Sequence, residues 1–196
     1  MRRYLKTMAA AGVAVGLAFG GVAHAEDAAR WGKVGEWQIM VDSTLGHGCF
    51  MLSTYPGQNV VLRVGFNNLD NSLYFMIGSA AWKSLEPGKL YSVDGQFDNG
   101  PAETWKALAF QFNGSGPAFL KASFHDPYGS MNVFGQRLNF KLYYNGARLA
   151  SMNLNGTAAA AAETANCNRQ FAGGAGGDPF SAQPRPAAKH DPFQQS

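Results

Sequence analysis

Two side chains that bind zinc in many proteins stand close together in this sequence, His47 and Cys49. A zinc site needs three or four ligands, and no Cys-x-x-Cys or His-x-x-x-His pair accompanies these two residues. We therefore interpret His47 as a turn residue. We expect neither a metal ion nor an organic cofactor in this protein.

A serine, a histidine and an aspartate also lie close in sequence, as Ser123, His125 and Asp126. A hydrolytic triad requires these groups to be within hydrogen-bond reach of one another. Residues two apart on a strand share a face but lie about 7 Å apart, which is too far. The sequence also lacks the Gly-x-Ser-x-Gly turn that presents a nucleophilic serine. This pattern argues against a serine hydrolase.

Carboxylates are the remaining catalytic candidates, and the three best placed are Asp94, Asp98 and Glu103. A glycosidase needs two carboxyl groups that face one cleft. These three residues fall in or beside predicted turns, where acidic side chains normally face water. We interpret them as solvated, and a carboxylate-dependent hydrolase stays as an alternative function.

Aromatic residues make up 13% of the chain, so some of them are expected outside the core. Aromatic side chains exposed on a sheet can bind proteins or glycans. We name Trp82, Trp105 and Tyr143 as a candidate binding surface. Because Tyr143 and Tyr144 are neighbours on a predicted strand, they point to opposite faces.

Alternation of apolar and polar residues predicts a mainly β fold. Eight or nine strands, separated by turns, indicate an antiparallel β-sandwich or barrel. Asn145-Gly146 is the strongest hairpin signal, because both residues accept a left-handed backbone. An alanine-rich segment from about residue 157 to residue 171 predicts a C-terminal α-helix. Residues 80–85 are interpreted as a connector that ends at residues 87–88. Residues 126–129 are interpreted as a turn, followed by one helical turn within residues 130–137.

The N-terminal residues 1–25 have the layout of a secretory signal peptide. A basic start precedes an apolar stretch over residues 8–22, and Ala23 and Ala25 are the small residues before the cut. The apolar stretch is short for a membrane span. We therefore expect a periplasmic or secreted protein with no transmembrane span in the mature chain.

The charge balance excludes nucleic acid as a partner. The chain has 16 basic and 13 acidic residues, and three of the basic ones lie in residues 1–25. The mature chain would keep 13 basic residues against 13 acidic ones, for a net charge of zero. No surplus positive charge is left to release the counterions of a phosphate backbone.

Only two cysteines are present, Cys49 and Cys167. An exported chain meets an oxidising compartment, so an intrachain disulfide is expected. The bridge would close a loop of about 118 residues, for which loop entropy predicts a stabilisation of about 5 kcal/mol.

The C-terminal segment differs from the rest, because it is rich in glycine and proline and contains Asp-Pro-Phe twice, at residues 178–180 and 191–193. Such a composition cannot bury enough apolar surface to order itself. The predicted organisation is a signal peptide over residues 1–25, a flexible N-terminus over 26–34, a β-rich globular domain over 35–171 and a disordered tail over 172–196.

Two short segments give the chain a family resemblance. Residues 35–39, Gly-Glu-Trp-Gln-Ile, open the predicted fold, and residues 154–156, Leu-Asn-Gly, precede the alanine-rich helix. In these segments the chain resembles the invasion-associated locus B family of exported alphaproteobacterial proteins. That family commonly has a cysteine just after the opening tryptophan, where this chain has Met40 and Val41. The resemblance implies a periplasmic β-rich domain without known catalysis, at the cell envelope or in host association.

These observations predict a non-catalytic, envelope-associated binding protein whose partner is a protein or another envelope component. A periplasmic inhibitor of a protease or lysozyme is the first alternative, because small disulfide-linked β domains also serve that purpose. Such an inhibitor would insert a loop, either residues 43–48 or residues 113–117, into an active site. The carboxylate-dependent hydrolase is the second alternative.

Overall fold

The computed structural model describes residues 28–112 and 117–172. The predicted signal peptide, the tail beyond residue 172 and most of the loop over residues 113–117 lie outside these residues. The described chain forms the following strands and α-helices: β1 Ala28–Val34, β2 Trp37–Asp42, β3 Gly48–Tyr55, β4 Val60–Asn67, β5 Ser72–Ser79, β6 Leu90–Phe97, β7 Ala102–Gln111, β8 Ala118–Phe124, α1 Pro127–Gly135, β9 Asn139–Tyr144, β10 Ala147–Asn153 and α2 Thr157–Ala172.

All ten strands belong to one antiparallel sheet, with the order β1-β2-β3-β4-β5-β8-β7-β6-β9-β10. The predicted mainly β fold with a C-terminal helix is therefore confirmed, with ten strands instead of eight or nine. The sheet is not closed by strand pairing, but it curls until side chains bridge its distant parts. The side-chain amide of Gln58 bonds both the N–H and the C=O of Ser151, and the Tyr55 hydroxyl donates to the Asn153 carbonyl at 2.9 Å.

The expectation of a flexible N-terminus over residues 26–34 is wrong for residues 28–34, which form β1 and pair with β2. Strand β1 is held by its contacts with α2. The indole N–H of Trp31 donates to Glu163 at 2.8 Å, and the Trp31 ring meets Phe171 edge-on at 6.0 Å. The register shifts between Arg30 and Gly32, and this irregularity breaks the alternation that would have revealed a strand.

The inner face of the sheet carries the main hydrophobic core, and α1 packs against it. The structure corrects the prediction of a turn followed by one helical turn, because a single helix already begins at Pro127. The Asp126 carboxylate caps this helix by accepting the Gly129 N–H at 3.0 Å. Phe134 of α1 meets the ring of Phe75 in β5 edge-on at 4.9 Å, which buries the apolar side of the helix.

Helix α2 is fastened to β3 by the predicted disulfide, which is confirmed. Cys49 and Cys167 are both fully buried, with 6.0 Å between their Cα atoms. The buried Asn168 beside the bridge accepts the Cys49 N–H at 3.1 Å. The Asn168 amide also bonds the side chains of Asn68 and Tyr128, so its polar groups are satisfied in the interior. In the described part of the chain, no helix is long and apolar enough to cross a lipid bilayer.

A smaller apolar cluster lies on the opposite face of the sheet, and we call it the outer cluster. Its buried members are Phe50, Tyr74, Met76 and Phe119. The Arg63 guanidinium lies 3.6 Å from the centroid of the Phe50 ring and is paired with the Asp42 carboxylate. The cation thus covers the cluster while its charge is compensated.

The pKa of Asp42 links this pair to stability. Burial by itself raises the pKa, but hydrogen bonds from Thr44 and Arg63, together with the guanidinium charge, outweigh burial and leave the pKa below its ordinary value. In acid the unfolded chain therefore binds a proton at Asp42 before the folded chain does. The stabilisation is present above about pH 4 and is lost as the pH falls through the folded pKa.

We expect Asp42→Asn to lower the free energy of unfolding at neutral pH by about 2 kcal/mol, because a buried charged hydrogen bond is lost. The variant should also show a weaker decline of stability below about pH 4. Urea unfolding at a series of pH values measures both effects. Asp70→Asn, at an exposed turn position, is the matched control. Identical pH dependence of the Asp42 variant and the native protein would contradict this account.

Removal of the disulfide gives a second prediction. The double variant Cys49→Ala, Cys167→Ala should lose up to about 5 kcal/mol of unfolding free energy, because its unfolded chain is no longer closed into a long loop. Denaturant unfolding with and without a reducing agent measures the loss. The reducing agent should destabilise the native protein and leave the double variant unchanged. An equal response of the two proteins would show that the bridge does not constrain the unfolded chain.

Candidate functional site

A pocket opens between the connector over residues 80–89, which joins β5 to β6, and the hairpin of β9 and β10. Its volume is about 340 Å³, which falls in the range of about 300–1,000 Å³ that is usual for small-molecule sites. The residues that line it are Ala81, Trp82, Ser84, Leu85, Glu86, Lys89, Tyr91, Val93, Leu120, Tyr144 and Leu149.

Backbone hydrogen bonds hold the connector in place over the sheet. The Gly88 N–H donates to the Ala109 carbonyl at 2.7 Å, and the Ala109 N–H donates to the Lys89 carbonyl at 2.9 Å. Gly88 has a φ of +85°, a conformation that glycine adopts without strain. The Trp82 N–H donates to the Ser79 carbonyl at 3.3 Å, which fixes the start of the connector at the end of β5.

Aromatic side chains form the walls of the pocket. The Tyr91 and Tyr144 rings meet edge-on, with their centroids 5.8 Å apart. The Tyr91 hydroxyl oxygen accepts the Glu86 N–H at 3.0 Å, which ties the connector to β6. Trp82 and Leu85 are half-buried against the core, so the connector contributes an apolar wall as well as a polar rim.

The floor of the pocket is apolar. Val93 and Leu120 are only 2% and 4% exposed, and both also line a smaller void behind them. Trp105 borders that inner void, and its ring stacks on Phe140 with the centroids 5.4 Å apart. The indole nitrogen of Trp105 is buried and has no hydrogen-bond partner among the described residues.

The charged groups of the pocket lie at its mouth. Lys89 and Glu86 form an ion pair at 2.6 Å, with 53% and 67% of their side chains exposed. The hydrogen bond to Glu86 and the Glu86 charge raise the pKa of the Lys89 ammonium. The pocket therefore offers apolar contact inside and one exposed ion pair at its mouth.

The three predicted binding residues do not form one surface. Trp82 lines the pocket. Trp105 was wrongly assigned to a surface, because it is only 9% exposed and lies in the core opposite Gly95, where a side chain would collide with its ring. Tyr143 is half-buried on the other face of the sheet, with its hydroxyl 3.4 Å from the Gln96 side-chain oxygen.

The candidate carboxylates also lie apart. Asp94 accepts a hydrogen bond from the Thr104 hydroxyl at 2.6 Å on the outer face of the sheet. Glu103 pairs with Gly95, the residue after Asp94 on β6, and therefore faces the opposite side of the sheet. Asp98 accepts the backbone N–H groups of residues 138 and 139, each at 2.9 Å. No two of these carboxyl groups share a cleft, as a glycosidase would require.

The side chains considered for metal binding have other roles. Cys49 is in the disulfide, and the His47 ring stacks on Phe171 with the centroids 6.2 Å apart. Over residues 28–112 and 117–172, no group of three histidine, cysteine, aspartate or glutamate side chains could hold a metal ion.

The serine, histidine and aspartate of the possible triad lie at the end of β8. Ser123 and His125 are exposed, and the Asp126 carboxylate is occupied as the cap of α1. Among the described residues, no hydrogen bond joins the His125 ring to Ser123 or to Asp126, so the three side chains do not form a triad.

The loop considered for inhibition, residues 43–48, is pinned to the turn after β4. The Asn68 N–H donates to the Leu45 carbonyl at 3.0 Å, and the Asn68 side chain donates to the Gly46 carbonyl at 3.2 Å. Most of this loop is half-buried or buried, so it does not project as an inserting loop would.

Sequence reasoning missed the pocket residues Lys89, Tyr91 and Leu149. The connector offered one sign of the pocket, because large apolar side chains such as Trp82 and Leu85 in a mostly polar loop are expected to pack against the body of the domain. Their partners on β6 and β10 could be found only from the strand order.

Comparisons with protein-family models, with curated proteins and with solved structures found no match for this chain.

We expect Tyr91→Phe to loosen the connector, because the variant removes the acceptor of the Glu86 N–H. The unfolding free energy should fall by about 1 kcal/mol, and hydrogen exchange at the Glu86 amide should accelerate. Amide exchange followed by NMR measures this effect. Tyr144→Phe removes the hydroxyl from the facing ring and serves as the control, with unchanged exchange at Glu86. Equal exchange in both variants would mean that the Tyr91 hydroxyl does not hold the connector.

Proposed function

We propose that this chain is an exported, non-catalytic binding protein that takes the apolar part of a small envelope component into the pocket beside Trp82. The observation that carries the proposal is the pocket itself, which has an apolar floor of Val93 and Leu120 and a polar rim. Sites of this size and lining are typical of small-molecule binding.

Export is supported by two independent features. Residues 1–25 have the pattern of a signal peptide. The buried Cys49–Cys167 disulfide is typical of proteins that fold in an oxidising compartment outside the cytoplasm. The resemblance to the invasion-associated locus B family agrees with a place at the cell envelope, and a role in host association is part of that proposal.

The kind of ligand follows from what the pocket can stabilise. Each methylene group moved from water into an apolar site contributes about 0.8 kcal/mol. Val93, Leu120 and Leu149 supply such contacts without polar atoms that would need partners. The volume, about 340 Å³, lies near the lower end for ligand sites, which favours one slender chain over a two-chain lipid.

Titration calorimetry with 1-decanol tests the proposal. The alcohol should bind with a negative heat-capacity change, which marks the burial of apolar surface. Leu149→Trp fills the pocket and should weaken binding by at least about tenfold, a loss of 1.4 kcal/mol. Leu138→Trp introduces the same side chain at an exposed position outside the pocket and should bind as the native protein does.

Circular dichroism and urea unfolding establish that both variants remain folded. Absence of decanol binding to the folded native protein would contradict the proposal. Equal binding by the Leu149 and Leu138 variants would also contradict it, because the chain would then bind elsewhere.

A further inference from the structure

We propose that the pocket selects single-chain amphiphiles with a carboxylate head group, and that Lys89 and the Tyr91 hydroxyl receive that head. The inference rests on the proposed function and adds the chemistry of the ligand's polar end. It follows from the distribution of polarity along the pocket and from the donors at its mouth.

Polarity changes in one direction along the pocket. Val93 and Leu120 at the floor are almost fully buried, whereas the charged ends of Lys89 and Glu86 are more than half exposed. Since the apolar side chains lie at the inner end and the charged groups at the mouth, a bound chain enters tail first and contacts Val93 and Leu120. Its head then lies between the connector and the Tyr91 ring.

The head meets two groups that can donate hydrogen bonds. The Lys89 ammonium has three N–H donors and lies 5.6 Å from the centroid of the Tyr91 ring. The Tyr91 oxygen accepts the Glu86 N–H, and its own O–H donates to no group within the described residues. A carboxylate accepts from both, and such charge-assisted hydrogen bonds are the stronger kind.

Glu86 is the only negative group among the described residues that line the pocket, and its ion pair with Lys89 does not block the site. The pair is solvent-exposed and joins residues three apart, so little free energy is lost when a ligand displaces Glu86 from Lys89. A cationic head could approach Glu86, but it would meet the Lys89 charge and leave the Tyr91 hydrogen without an acceptor. The lining therefore favours a negative head over a positive one.

Calorimetry with three ten-carbon probes separates the contribution of the head group from that of the chain. Decanoate and decyltrimethylammonium are used below their micelle concentrations, and 1-decanol is used below its solubility limit. The native protein should bind decanoate about fivefold more tightly than decanol, and decyltrimethylammonium most weakly. Lys89→Met should abolish the preference for decanoate over decanol, and Glu86→Gln should increase it by about the same factor.

Lys106→Met is the matched control, because Lys106 bonds Ser92 on β6 and does not line the pocket. It should keep the native preference. Circular dichroism of each variant shows that the comparison is made between folded proteins.

Each other outcome has a distinct meaning. Equal binding of decanoate and decanol overturns the carboxylate preference and leaves the proposed function standing. Tighter binding of decyltrimethylammonium overturns it in favour of a site built on Glu86. A decanoate preference that survives Lys89→Met overturns the role of Lys89. If decanol does not bind, the proposed function fails, and the inference that rests on it fails too.

Discussion

A single curled sheet must bury its inner face, and the described residues contain no second sheet to cover it. Curling brings Gln58 against Ser151 of β10, and the two helices cover much of what remains open. Antiparallel pairing of β5 with β8 then places α1 and the connector over residues 80–89 at opposite ends of these strands. The helices fill one end, and the connector covers the other only in part. The pocket is the space that this arrangement leaves.

Two sets of hydrogen bonds hold helix α2 and the connector against the sheet. Asn168, beside the disulfide, satisfies all its hydrogen bonds within the interior and so fixes the position of α2 on β3 and α1. The connector depends on weaker fastenings, namely backbone bonds to Ala109 and the Tyr91 hydroxyl. Local stability varies across a fold in this way, and binding elements are commonly drawn from its less stable parts. Helix α2 is held more firmly than the connector, and this difference in local stability agrees with the proposed binding function.

The sequence revealed the parts of the fold that depend on local patterns. Strand β6 over Leu90–Phe97 and the Asn145-Gly146 hairpin follow from alternation and turn chemistry. Strand β1 is not predicted from the sequence, because its bulge breaks the alternation of apolar and polar residues. Trp105 is wrongly predicted to lie on the surface, because alternation does not say which face of the sheet is buried. The pocket is lined by the connector after β5 and by residues of β6, β8, β9 and β10. The pairings of β5 with β8 and of β6 with β9 bring these elements together, and no local pattern specifies them.

The central claim is that the space beside Trp82 holds an apolar chain. Intermolecular nuclear Overhauser effects between ordinary, undeuterated decanol and a protein with isotope-labelled methyl groups test this claim most directly. The account predicts cross-peaks from the chain methylenes to the methyl groups of Val93, Leu120 and Leu149. Cross-peaks to Met76 of the outer cluster, with none to these three residues, would place the ligand on the opposite face of the sheet and contradict the account.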